Sequence, residues 1–149
     1  MRHALRNALA AACLMHCAAA SAFTGNAASV GPLTLEIGPI APVTEYGAPF
    51  QAPVALANAS DAPLDVRLRL DGLADECQAV GETSRRLAVP GGGRAEAMFS
   101  IQVGRGAYSA HYPVHVHADF VHGGAAQSVH AVQVFETIFA ADKAETSET

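Results

Sequence analysis

The chain has 149 residues, half of them apolar, with nine Lys or Arg against fourteen Asp or Glu and no tryptophan. That length gives one domain room for a buried core and is too short for two. The acidic balance, with no basic patch larger than Arg85-Arg86, excludes nucleic acid as a partner and makes an anionic membrane surface repulsive.

The N-terminus reads as a signal peptide over residues 1–22. Arg2 and Arg6 supply a positive start, LAAACLMHCAAA a short apolar run, and Ala20-Ser21-Ala22 a small-x-small cleavage pattern. The run is shorter than the roughly 20 residues a spanning helix needs, so no membrane insertion of the mature chain is expected. Cys13 and Cys17 lack the Leu-x-small context of an acylation site, Leu-Met-His preceding Cys17. Cleavage removes both and leaves Cys77 alone, which excludes a disulfide framework and a cysteine-rich zinc site. It also leaves seven cations against fourteen carboxylates, a formal charge of −7. Cys77 lies in DGLADECQ, where nearby carboxylates raise a thiol pKa, and it reads as a buried structural residue.

The mature chain then runs as short extended pieces between Gly, Pro, Asn and Asp. LTLEI (33–37) alternates apolar and polar residues, and VTEY (43–46) follows as a short edge piece behind Pro42. PVALANAS (53–60) puts Val54, Leu56 and Asn58 on one face and ends in a turn over Asn58 to Asp61. LDVRLRLDG (64–72) is the clearest strand: Leu64, Val66, Leu68 and Leu70 point one way, Asp65, Arg67, Arg69 and Asp71 the other. A short strand is expected around 78–80, another over SRRLAV (84–89), and PGGG (90–93) stops it. RAEAMFSIQV (94–103) alternates Ala95, Ala97, Phe99, Ile101 and Val103 against polar partners, with Met98 the exception. Residues 111–122 and 127–139 form the last two strands, joined across Gly123-Gly124, and the acidic tail 141–149 is expected to be disordered. About seven strands at this spacing predict an all-β, antiparallel two-sheet sandwich over residues 23–140.

The succession NASDAPLDVRLRLDG, VPGGGRAEAMFSIQV and GAYSAHYPVHVHADF resembles the bacterial immunoglobulin-like and fibronectin-III-like modules of secreted and cell-surface proteins. The resemblance covers roughly residues 31–139 and rests on pattern. It implies an immunoglobulin-like sandwich acting as a spacer or a protein- or glycan-contacting accessory.

HYPVHVHADFVH (111–122) holds four of the chain's seven histidines. Same-face residues of a strand stand about 6.6 Å apart, so His115 and His117 can reach one ion. His-x-His suits zinc or copper, with Asp119 as an oxygen ligand or an acceptor for an imidazole N–H. His111 shares their parity, and Val114, Val116, Ala118 and Phe120 form the opposite, core-facing row. Hairpin register decides whether His130 joins. Pairing Val121 with Ser128 places His130 on the histidine face; a one-residue slip puts it in the core row beside Val132 and Val134. The slipped register aligns the apolar positions better and is the one expected. HVHADF also resembles the copper-ligand strand of copper–zinc superoxide dismutases. The match ends there, because His117 is followed by Ala118, Asp119, Phe120 and Val121, with no glycine in the family's place.

The other candidates lack the spacing their chemistry needs. No serine sits in a Gly-x-Ser-x-Gly elbow, and PGGGR lacks the lysine and helix of a phosphate loop. Asp75-Glu76 are loop neighbours rather than carboxylates across a cleft. Tyr108 and Tyr112 read as corner-packing residues more than as a sugar platform. The sequence therefore predicts an exported, non-enzymatic interaction module in the periplasm or outside the cell, with a protein or glycan partner. The alternative is a periplasmic zinc- or copper-binding protein using His115, His117, Asp119, His111 and His130.

Overall fold

The computed structural model describes residues 25–140. The expected signal peptide (1–22) and acidic tail (141–149) lie outside the described residues. Nine strands follow one another: β1 (Ala27–Val30), β2 (Leu33–Ile37), β3 (Phe50–Asn58), β4 (Leu64–Asp71), β5 (Cys77–Val80), β6 (Ser84–Val89), β7 (Arg94–Val103), β8 (His111–His122) and β9 (Ala125–Glu136). They form two antiparallel sheets, ordered β1-β2-β3-β7-β5 and β6-β4-β8-β9. The all-β two-sheet immunoglobulin-like sandwich is thus the observed fold, and no described helix is long and apolar enough to cross a membrane.

The alternation in the sequence explains the layers. Leu33, Leu35 and Ile37 of β2, Leu56 of β3, and Phe99, Ile101 and Val103 of β7 point inward from one sheet. Val66 and Leu68 of β4, Val114, Val116 and Ala118 of β8, and Val129, Ala131 and Phe135 of β9 meet them from the other. Burying each large side chain contributes about 1.5–3 kcal/mol. Asn58 is buried among them and earns its place by hydrogen bonds. Its amide N–H groups donate to the carbonyls of Ala62, Val89 and Pro90, and its Oδ1 accepts from the N–H and hydroxyl of Ser60. Thr137, equally buried, accepts from the Ala110 N–H and donates to the Tyr108 carbonyl. Cys77 is a free, buried thiol, held above its usual pKa by desolvation and then by the charge of Glu76.

Two expectations need correction, and one strand had not been expected. The piece at 43–46 is no strand: only Val43 makes an isolated parallel bridge, to Thr137. The segment AASV, which carried no strong pattern, forms β1 by pairing with β2. Most consequential, the β8–β9 register pairs His122 with Ala125, Asp119 with Ser128 and His117 with His130. His130 is therefore on the histidine face, with Val132, while Val134 is half exposed. The cause is the turn. Gly123 (φ 59°) and Gly124 (φ 75°) both occupy the left-handed region, as a two-residue type I′ hairpin requires. That turn sets the register directly, and the core row becomes Val129, Ala131, Gln133 and Phe135. Gln133 is tolerated there because its amide donates to the carbonyls of Ile37 and Gly38.

Candidate functional site on the outer face of the β8–β9 hairpin

The central strands β4 and β8 present their polar rows to the outside of the four-stranded sheet. Across β4 and β8, Arg67 faces Asp119, Arg69 faces His117, and Asp71 faces His115. Across β8 and β9, Asp119 faces Ser128, His117 faces His130, and His115 faces Val132. On the far side of β4, Arg67 faces Arg86 and Arg69 faces Ser84 of β6.

Asp119 is fully engaged within this row. The Arg69 guanidinium donates to both of its oxygens, Nε at 2.6 Å and Nη2 at 3.3 Å, and the Ser128 hydroxyl donates at 2.7 Å. The Arg69 hydrogen bond holds the Asp119 carboxyl below the usual carboxylate range, with the Ser128 hydroxyl and nearby charges adding to it against a desolvation penalty. The same contact raises Arg69. Asp71 lies 3.8 Å from the Arg69 Nη1, a looser and more exposed contact.

The three imidazoles make one group. His115 Nδ1 and His130 Nε2 are 3.0 Å apart, and their ring centres lie 5.2 Å apart at 17° between planes. The centre-to-centre separation exceeds the nitrogen contact by just two ring radii, so the rings meet edge to edge along the line of centres. One nitrogen donates and the other accepts. His117 instead lies flat on His130, at 4.2 Å and 2°. Desolvation, followed by the neighbouring His117 and His115, pushes the His130 pKa below its ordinary value, with Asp71 opposing.

In this arrangement the His115 and His130 nitrogens are paired with each other. A tetrahedral zinc with bonds of about 2.0–2.1 Å needs two nitrogens about 3.3 Å apart with lone pairs converging at an angle. Here the lone pair of one ring points at the N–H of the other, and the third ring presents its face. Asp119 is committed to Arg69, and His111, at the far end of β8 opposite Glu136, belongs to neither contact. Among the described residues no group of three or more His, Cys, Asp or Glu is arranged to hold a metal ion.

The sequence pattern placed His115, His117 and Asp119 on one outward face, as observed. It preferred the register that turns His130 inward, although His130 was among the candidates, and it did not identify Arg69 as the cation that claims Asp119. The Gly123-Gly124 pair was a signal for the first. The second depends on which strand lies beside β8, which local sequence does not carry.

Comparison with known proteins bears on the fold. No family model matches the chain, and no curated protein matches it. Among solved structures it is similar to part of a Salmonella alpha-2-macroglobulin mutant, at TM-score 0.60 and 11% identity, over 72% of this chain and 7% of that one. It is likewise similar to part of Escherichia coli alpha-2-macroglobulin spanning domain MG7 to the C-terminus, at 0.62 and 12%, over 74% of this chain and 17% of that one. A family 123 glycoside hydrolase from Clostridium perfringens follows at 0.53 and 12%, over 73% of this chain and 27% of that one. The chain thus corresponds to a small part of each of these larger proteins.

Proposed function

We propose that the chain is an exported, non-enzymatic interaction module that contacts a protein partner through the outer face of its four-stranded sheet. The observation that carries this reading is the make-up of that face. A polar centre whose side chains are already fixed on one another, Arg69 with Asp119 and Ser128 and the three imidazoles, is flanked by apolar side chains open to solvent. Val121 is 63% exposed and Val134 50%. Side chains ordered before association lose less conformational entropy on binding, and apolar groups beside them supply burial.

Export rests on Arg2, Arg6 and the Ala20-Ser21-Ala22 pattern. The likeness to parts of larger proteins supports a modular role. A protein partner is preferred to a glycan because Tyr108 is the only strongly exposed aromatic among the described residues, and sugar platforms are built from aromatic faces.

The test is photo-crosslinking in the source cell from residue 134, with residue 98 on the opposite sheet as control; Met98 is 54% exposed. A discrete adduct from position 134 that is absent from position 98 supports the reading. No adduct from position 134, or the same set from both, contradicts it.

A further inference from the structure

The two sheets end in edge strands, β1 and β5 of one and β6 and β9 of the other. Three of these edges are poorly suited to pairing with another chain. β1 and β5 have four residues each, and β6 carries Arg85 and Arg86. β9 is different. It is twelve residues long, and from Ala125 to Phe135 it holds no Asp, Glu, Lys, Arg or Pro.

Its outward edge is open over one stretch. The Thr137 N–H donates to the Ala110 carbonyl on the β8 side, whereas the Val132 and Ile138 N–H groups donate to Gly25 and Val43 on the other side. Backbone groups of an antiparallel strand alternate in this way. Ala126, Ser128 and His130, of the same parity as Val132, therefore aim their N–H and C=O groups away from β8. Among the described residues these groups have no partner, and all three residues are exposed. The stretch is bounded by the turn at Gly124 and by the Gly25 contact at Val132. Those two limits are equidistant from Ser128.

Alternating free donors and acceptors fit an extended backbone, and the symmetry about Ser128 fits the same strand turned end for end. We propose that β9 pairs antiparallel with β9 of a second copy of this chain, about a twofold axis at Ser128. Ser128 then faces its own counterpart and Ala126 faces His130 of the second copy, each pair exchanging both N–H···O=C bonds. A small side chain stands opposite the imidazole, and no like charges are opposed. Val121, 63% exposed and paired with Ala126 in its own hairpin, lies in the row that His130 of the second copy continues. The two four-stranded sheets become one, with their outer faces on the same side. The contact is short, so the dimer is a weak one. It concerns the edge and is independent of the partner contact proposed for the outer face.

The experiment is sedimentation equilibrium of the mature chain at about 0.5 mM, in about 0.3 M salt to screen the like net charge of the two copies. The expected mass approaches twice that of the monomer, in wild type and in Ser128→Ala. Ser128→Pro is expected to be monomeric. It removes an outward N–H and spares the β8 ladder, and its amide spectrum reports whether the fold is kept. Ser128→Cys gives a second reading that needs no proline in the strand. Facing Cα atoms in such a pair are about 5.5 Å apart, within disulfide range, and the native Cys77 is buried. Mild oxidation is expected to crosslink Ser128→Cys about tenfold faster than Met98→Cys, on the other sheet and 54% exposed. Monomeric wild type at this concentration, a dimer that persists in folded Ser128→Pro, or equal crosslinking of the two cysteine variants overturns the proposal.

Discussion

Arg69 and Asp119 join β4 to β8 through a two-point hydrogen-bonded ion pair, with guanidinium nitrogens 2.6 and 3.3 Å from the two carboxylate oxygens. The pair is fifty residues apart in sequence and directly diagonal in space. It shapes the chemistry of the face by engaging both oxygens of Asp119, the carboxylate that shares its row with His117 and His115.

Replacing Asp119 by Asn keeps the shape and removes the charge. The expected loss of stability is about 1–2 kcal/mol, read as a shift in the urea midpoint with unchanged slope. The native Asp119 pKa is lowered, so its contribution is fully present above the unfolded carboxylate range. It is lost as pH falls through the lower native value. The variant therefore approaches wild type in stability at acid pH, and a constant difference from pH 7 down to pH 2 would contradict the assignment.

His130 acts in the same direction, in a higher pH window. Its native pKa is lowered, so below the ordinary histidine value of about 6.5 the unfolded chain takes up the proton first. Native stability carries no His130 penalty above that value and loses ground as pH falls through it. In His130→Gln the stability between about pH 7 and pH 5 depends less steeply on pH than in wild type. Parallel wild-type and variant curves across that window would remove the pKa argument.

Asn58 tests the interior. Its side chain closes the turn at Ser60 and pins the loop at Val89 and Pro90. Asn58→Ala leaves several carbonyls without donors in a buried setting, and a loss of about 2–3 kcal/mol is expected by denaturant unfolding. A change under about 0.5 kcal/mol would mean that water replaces the amide without penalty.

Gly91 is the companion to that network. A Cβ at this position would collide with the backbone carbonyl of Asp61, so the PGGG segment needs a glycine here for close approach rather than for flexibility. Gly91→Ala is expected to destabilise by about 2–3 kcal/mol. Gly92→Ala, with nothing near its Cβ but φ at 65°, is expected to lose about 1 kcal/mol from backbone strain alone. Equal effects at the two positions would contradict the contact.

Much of the fold was legible because the strands obey a period of two. LDVRLRLD separates Val66 and Leu68 from Arg67 and Arg69 so cleanly that its inner and outer faces needed no structure. The same reasoning failed on AAQSVHAVQVFE. There Gln133 is partly buried and Val134 is half exposed, so the apolar count favoured a register the turn does not permit. β1 was invisible because Ala27 and Ala28 carry little pattern, and the strand exists through pairing with β2. For the candidate site, local spacing put three side chains on one face. The partners that define their chemistry, Arg69 and His130, come from strands whose adjacency is a tertiary property.

The arrangement of the three imidazoles follows from the pairing of His117 with His130. It is tested most directly by proton NMR of the mature chain, through nuclear Overhauser contacts between histidine rings together with the nitrogen shifts of His115 and His130. The account predicts contacts from the His117 ring to the His130 ring, and a hydrogen-bonded nitrogen pair between His115 and His130. Contacts from His130 to Val116 or Ala118 instead would place its ring in the core, and would contradict both the register and the outer face built on it.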